Sequence, residues 1–188
     1  MRAVIAVAIG AALAAGCASQ PKSQLQRDLE TVEAEETPEK LFARGRAYAS
    51  IADHTRAEQY LAAAIDAGGD AREILPILLR VCVAEKRYRV AIDYTERYLK
   101  KHPADHRLRL VLGTLFVNVG ENDAAAKELD RVIEENPGLA QAHYARAVLA
   151  RDEGDAVGAD RHFREYLRLE PRGPHVDEAR GSLLKSVP

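Results

Sequence analysis

Residues His106 to Leu139 read HRLRLVLGTLFVNVGENDAAAKELDRVIEENPGL, and the order of apolar residues in this stretch decides the fold. Leu108, Val111, Leu112, Leu115 and Phe116 recur at helical spacing, Gly120-Glu121-Asn122 breaks the run, and Ala125, Leu129, Val132 and Ile133 form a second helical stripe. Two antiparallel helices follow from this pattern. Gly113 and Ala125 fall where the two backbones come closest, and a larger side chain there would hold the helices apart. Pro137 cannot continue the second helix, so it opens the next turn.

The pattern returns at one fixed period without a gap, in units opening at Pro38, Arg72, His106 and Ala140. Ala57, Ala91, Ala125 and Ala159 share one column, and Pro103, Pro137 and Pro171 share another. The chain has 33 alanines but only 8 prolines among 188 residues, so the proline column carries more weight. Further columns are Gly45, Leu79, Gly113 and Ala147; Tyr48, Cys82, Phe116 and Ala150; and Leu61, Thr95, Leu129 and Phe163. The first unit closes on Gly68-Gly69 instead of proline, and Asp70 with Glu73 forms a D-x-x-E capping arrangement. Pro76 is expected to kink the helix that follows or to delay its start. From Pro174 a final amphipathic helix, carrying Val176, Ala179, Leu183 and Leu184, is expected to seal the last apolar face as a truncated fifth unit over 174–188.

Composition agrees with this picture and narrows the function. Lys and Arg number 27 against 29 Asp and Glu, a net charge of −2, which does not favour binding to a phosphate backbone. A hydrophobic share of 47% supports one packed domain, while 5% aromatics, no Trp and abundant Ala favour closely packed helices. Two cysteines, Cys17 and Cys82, cannot supply a disulfide framework.

The columns resemble the tetratricopeptide repeat (TPR), with Leu112-Gly113, Phe116, Ala125, Leu129 and Pro137 fitting its pattern best. The resemblance covers residues 38 to 171 in four units, 38–71, 72–105, 106–139 and 140–173. It departs from the pattern at the fourth place, where Arg109 and His143 stand instead of large apolar residues, and at Leu79, Thr95, Tyr98 and Tyr166. It implies an all-α, right-handed superhelical solenoid of four helix hairpins with a C-terminal capping helix. The first helix of each unit would line a concave face. Positions carried over from similar proteins place Phe42, Arg46, Arg80, Val83, Leu110, Val117, Asn118, Tyr144 and Arg151 there as a peptide-binding groove, together with Glu39, Ala49, Ser50, Glu73, Pro76, Ala84, Arg107, Thr114, Gln141, Val148 and Asp152. Phe42, Val83, Leu110 and Tyr144 could anchor apolar side chains, and Arg46, Arg80 and Arg151 could meet acidic ones with planar bidentate donors. Alternatively the arginines pair with Glu39, Glu73 and Asp152, and the face is only a solvated wall.

Ahead of the repeats, Arg2 precedes thirteen uncharged residues, Ala3 to Ala15. As a helix they span about 20 Å, short of the roughly 30 Å hydrocarbon core, so the run reads as a secretory signal. It ends Leu13-Ala14-Ala15-Gly16-Cys17, which resembles a bacterial lipobox, with Ala14 where Leu is usual. The resemblance implies cleavage of residues 1–16, a diacylglycerol and an N-acyl lipid on Cys17, and, since Ala18 follows, the periplasm-facing outer membrane. Residues 17–37 are then a lipidated terminus and linker. They are either a polar leash of roughly 25 Å root-mean-square reach or a short helix on Leu25, Leu29 and Val32.

Signatures of catalysis are missing: Ser50 is the only serine within the repeats, and no G-x-S-x-G, H-E-x-x-H or paired C-x-x-C occurs. His102 and His106 are interrupted by Pro103 and read as surface residues rather than metal ligands, and Cys82 reads as a core position. No enzyme activity, resident cofactor, metal, nucleic acid or small-molecule substrate is expected. The chain resembles small TPR lipoproteins of the pilotin type, which implies a protein-binding scaffold for a periplasmic or outer-membrane partner in envelope assembly. The alternative is a regulatory subunit of a separate envelope enzyme, such as a peptidoglycan synthase or hydrolase.

Overall fold

The computed structural model describes residues 37–185; the expected signal sequence, Cys17 and residues 18–36 of the linker lie outside them. Nine helices occupy the described residues: α1 (Pro38–Ser50), α2 (His54–Asp66), α3 (Ala71–Ala84), α4 (Tyr88–Lys101), α5 (His106–Val119), α6 (Asn122–Glu135), α7 (Ala140–Asp152), α8 (Ala156–Leu169) and α9 (Val176–Gly181). No strand occurs among the described residues. The second helices of the four units begin at His54, Tyr88, Asn122 and Ala156, each exactly one sequence period after the last.

Local chemistry explains where the helices start and stop. Thr37, Asp53, Asp70, Asp105 and Asp155 each accept a hydrogen bond from an amide in the first turn of the following helix, filling donors that have no partner inside the helix. Asp70 meets the Arg72 amide at 2.9 Å, so α3 begins at Ala71 and runs through Pro76 without delay. Within each hairpin the turn passes through a left-handed residue at the same register: Ala52, Lys86, Gly120 and Gly154 have φ of 57°, 55°, 77° and 84°. Only the last two units place there the residue that adopts this conformation without cost.

Each helix packs on the next, and first helices also pack on first helices, α1 on α3 and α5 on α7. In the hairpins, a Cβ on Gly45 would lie 2.7 Å from Leu61 Cγ, and one on Gly113 would lie 2.8 Å from Leu129 Cγ. These are the close approaches expected of the glycine column. A continuous core runs through the first three units and includes Leu61, Ile74, Leu78, Cys82 and Leu129. Ala147, Phe163 and Tyr166 of the fourth unit form a second one with Val176 and Ala179 of α9. The terminal helix is shorter than expected. It ends at Gly181, and Leu183 and Leu184 follow outside it, the Leu184 amide donating to Asp160 at 2.9 Å. Val176 and Ala179 alone supply its buried face.

The two departures at the fourth place share one explanation. Arg109 Nη2 donates to the Pro103 carbonyl at 2.8 Å, and at the same place in the next unit His143 Nε2 meets the Pro137 carbonyl at 3.1 Å. Each polar side chain satisfies the carbonyl of the proline that closes the previous unit. Arg109 also pairs with Glu128 at 2.7 Å, and His143 Nδ1 lies 3.3 Å from His162 Nδ1.

The histidine pair makes stability depend on pH. With His143 Nε2–H on the carbonyl, its Nδ1 accepts from His162 Nδ1–H, and His162 Nε2 faces Arg161 at 3.3 Å. In this arrangement His162 donates to His143 without carrying a charge of its own. Burial, then Arg161, His143 and Arg146, push His162 down to about 4, with Asp130 opposing. The unfolded chain therefore binds the extra proton first, so the contribution is complete above the unfolded pKa near 6.5 and fades as pH falls towards 4. Unfolding free energy is expected to drop by about 2 kcal/mol between pH 8 and pH 5. Urea titrations of the parent and of His162→Gln check this, and a parent curve as flat as the variant's over pH 6.5 to 5 refutes it.

Candidate functional site

The faces of α1 and α3 that turn away from the second helices enclose a hollow of about 490 Å³. Phe42, Arg46, Ala49 and Ser50 line it from α1, and Glu73, Ile77 and Arg80 from α3. On both helices the spacing is i, i+4, i+7, which sets each trio on one stripe. The Arg46 guanidinium lies 5.6 Å from the Phe42 ring centroid, a cation–π distance. Neither Arg46 nor Arg80 has a carboxylate within ion-pair distance among the described residues. The expected pairing of these two with Glu39 or Glu73 does not form there. Two guanidiniums without an ion pair among the described residues thus flank an aromatic ring and the Ile77 side chain, with Glu73 in the same lining. Ser50 is turned inward on its own helix, its hydroxyl donating to the Ala47 carbonyl at 2.7 Å.

Of the nine sequence-predicted groove residues, the structure brings Phe42, Arg46 and Arg80 into this hollow. Val83, one turn beyond Arg80, is 41% exposed. Leu110 and Val117 are partly buried against the core, and the Asn118 side-chain amide donates to the Thr114 carbonyl at 2.8 Å. Tyr144 and Arg151, expected as open groove positions, are already engaged. The Tyr144 hydroxyl donates to Glu178 at 2.6 Å, its ring stacks on His175 at 4.0 Å, and Arg151 donates to the same carboxylate at 2.9 Å. Burial and then the Glu178 hydrogen bond push the Tyr144 phenol up to about 12. The hydrogen bonds from Tyr144 and Arg151 hold the Glu178 carboxyl below its ordinary range. Arg151 also lies 3.3 Å from Asp152. The terminal segment therefore covers the fourth-unit end, while among the described residues no such segment covers the hollow between α1 and α3. Ile77, one place from the carried-over position held by Pro76, is the lining residue the sequence reading omits.

Reactive groups stand elsewhere. Cys82 is fully buried, and that burial first, with Glu58 next, pushes its thiol up to about 12, far from a thiolate at neutral pH. His102 lies against the Tyr98 ring at 4.4 Å, while His106 lies 3.2 Å from Glu135, so the two do not converge. Among the described residues no group of three His, Cys, Asp or Glu is placed to hold a metal ion.

This stack of four helix hairpins with an open inner hollow defines the class of protein. Two models of the tetratricopeptide repeat match the chain, over residues 42–106 and 83–149. The chain carries tetratricopeptide repeats, and its fold is a TPR solenoid. Among solved structures it is similar to YrrB, a TPR protein with an unusual peptide-binding site, at 19% identity and a TM-score of 0.66, covering 84% of this chain and 87% of that one. It is similar also to MamA from Desulfovibrio magneticus, at 20% identity and a TM-score of 0.65, covering 79% and 85%. At such identities the likeness concerns the fold. The tetratricopeptide repeat and J domain-containing co-chaperone DNJ1 of Cryptococcus neoformans is 28% identical over 88 residues, 47% of this chain and 17% of DNJ1. The chain spans less than a fifth of the length of the curated relatives it matches. A repeat array of this kind suggests a protein-binding scaffold that presents an extended surface.

Proposed function

We propose that the chain is a membrane-anchored scaffold that holds an extended segment of an envelope protein in the hollow between α1 and α3. The observation that carries this reading is the pair of guanidiniums, Arg46 and Arg80, which make no ion pair among the described residues, although Glu73 shares the lining with Phe42 and Ile77. An extended segment with an acidic residue next to an apolar one satisfies both features, through a bidentate ion pair and burial of the apolar group. YrrB, similar in fold, is a TPR protein with a peptide-binding site, which supports the same use of this one. The anchor in this reading is Cys17, at the end of Leu13-Ala14-Ala15-Gly16. In this reading the lipid on Cys17 supplies the attachment; no helix among the described residues is long and apolar enough to cross a membrane. Assembly of a pilus secretin or an outer-membrane barrel is the setting in which such a tethered scaffold would act.

The test uses the full chain in its own membranes. Photocrosslinking from Ala49 followed by mass spectrometry should recover a specific envelope partner, and Arg80→Glu or Phe42→Ala should cut recovery by about fivefold or more while circular dichroism stays unchanged. Equal recovery from parent and variants removes the hollow as the binding site. The mass of the Cys17 peptide from the same sample reports the anchor independently, and an unmodified thiol there removes the membrane half of the proposal.

A further inference from the structure

We infer that one edge of the stack, where the loops between units meet, is a second docking surface that takes an acidic protein segment bearing a large apolar side chain. Two adjoining hollows of about 750 Å³ and 480 Å³ open on this edge and share Arg72, Tyr98 and His102. The floor of the larger is apolar, built from Ile65, Leu75 and the rings of Tyr94 and Tyr98. Its rim is cationic, with Arg72, Arg97, Lys100 and Lys101, and Arg107 continues it around the smaller hollow. None of these five has a carboxylate partner among the described residues. Arg97 instead lies over the Tyr94 ring at 4.7 Å and donates to the Asp93 carbonyl.

Helix electrostatics explains only part of the rim. Lys100 and Lys101 sit in the last turn of α4, where the helix dipole favours cations. Arg72 and Arg107 are the second residues of α3 and α5, where the dipole disfavours them. Their charges stand against the local field with no carboxylate among the described residues to pair with them. The hollows also contain three carboxylates, Asp66, Asp70 and Asp105, of which Asp70 and Asp105 accept from the amides of Arg72 and Leu108, so the five cations of the rim outnumber them. The edge therefore carries an excess of positive charge on a chain whose net charge is −2.

The shape selects the partner. A recess with an apolar floor inside a cationic rim fits one large apolar side chain flanked by carboxylates. A membrane surface would meet the rim but leave the floor unfilled, and a phosphate backbone has no side chain to offer it.

The test measures fluorescence anisotropy of the full chain with a labelled peptide of about ten Asp and Glu residues around one Phe. The parent is expected to bind it at least about tenfold more tightly than the Asn/Gln counterpart, and several-fold more tightly than an acidic peptide with Gly replacing Phe. Lys100→Gln/Lys101→Gln, which keeps helix propensity, should weaken it about fivefold, and Arg72→Gln should add to that loss. Because such a peptide also suits the inner hollow, every rim comparison is repeated on Arg80→Glu, where rim-dependent binding should persist, so the two surfaces fail separately. The proposal is overturned by absence of binding, by equal affinity for the neutral peptide, or by loss on Arg80→Glu but not on the rim variants. Capture by phosphatidylglycerol vesicles without peptide binding would overturn it too.

Discussion

Gly113→Leu is expected to destabilise the domain by about 2–3 kcal/mol, and Gly113→Leu/Leu129→Thr to recover at least about 1 kcal/mol of the loss. The first added carbon already falls 2.8 Å from Leu129 Cγ and 2.9 Å from its Cδ2, both in the fully buried seam between α5 and α6. Three further carbons must then be accommodated beside the buried Leu129, forcing a shift of the helices or a strained rotamer. Helix propensity works the other way, since Leu is better than Gly by under about 1 kcal/mol, and is too small to compensate. The compensating change comes from the second unit, where the same two columns hold Leu79 and Thr95, both buried. Size is exchanged between the partners there while the hairpin is kept. Guanidinium denaturation of the two single variants and the double one gives the coupling energy. Additive losses would show that the columns are not paired by volume.

Much of this fold could be read from residue types because packing acts on volume, and volume is a property of the residue. The glycine and leucine columns, the proline column and the paired apolar stripes each reported a contact that recurs once per unit. Features carried by backbone shape were half hidden. The left-handed turn position holds Ala52 and Lys86 in the first two units and Gly only afterwards, so composition marked it in half of its occurrences. Partners supplied by distant segments were hidden altogether. Tyr144 and Arg151 occupy positions that face a groove, yet Glu178 of α9 claims both, and nothing in the spacing of Val176 and Ala179 told where that carboxylate would go. Ile77 enters the inner hollow, where the transferred positions pointed to its neighbour Pro76. The cationic edge was dispersed for the same reason: Arg72 and Arg107 are far apart in sequence, and only stacking of the hairpins brings them onto one rim.

The other large effect concerns Arg109. Arg109→Leu should cost about 3 kcal/mol or more, because it leaves the Glu128 carboxylate in a largely desolvated site without its counter-ion. The Arg109 and Glu128 side chains are only 6% and 17% exposed. The lost bond to the Pro103 carbonyl contributes less, since Pro103 is exposed and water can replace the guanidinium there. The first two units hold a different solution at the same two places, Leu41 with Tyr60 and Leu75 with Tyr94; the third has Arg109 with Glu128, and the fourth His143 with His162. An apolar residue with an aromatic one, an ion pair and an imidazole pair thus occupy one structural position. It follows that Arg109→Leu/Glu128→Tyr, which rebuilds the second unit's pair in the third, should return to within about 1 kcal/mol of the parent, since replacing both members of a buried ion pair by packed apolar groups is near neutral. Equilibrium unfolding of the single and double variants separates the possibilities. If the double variant is no more stable than Arg109→Leu, the cost lies in the lost carbonyl bond and not in the stranded carboxylate.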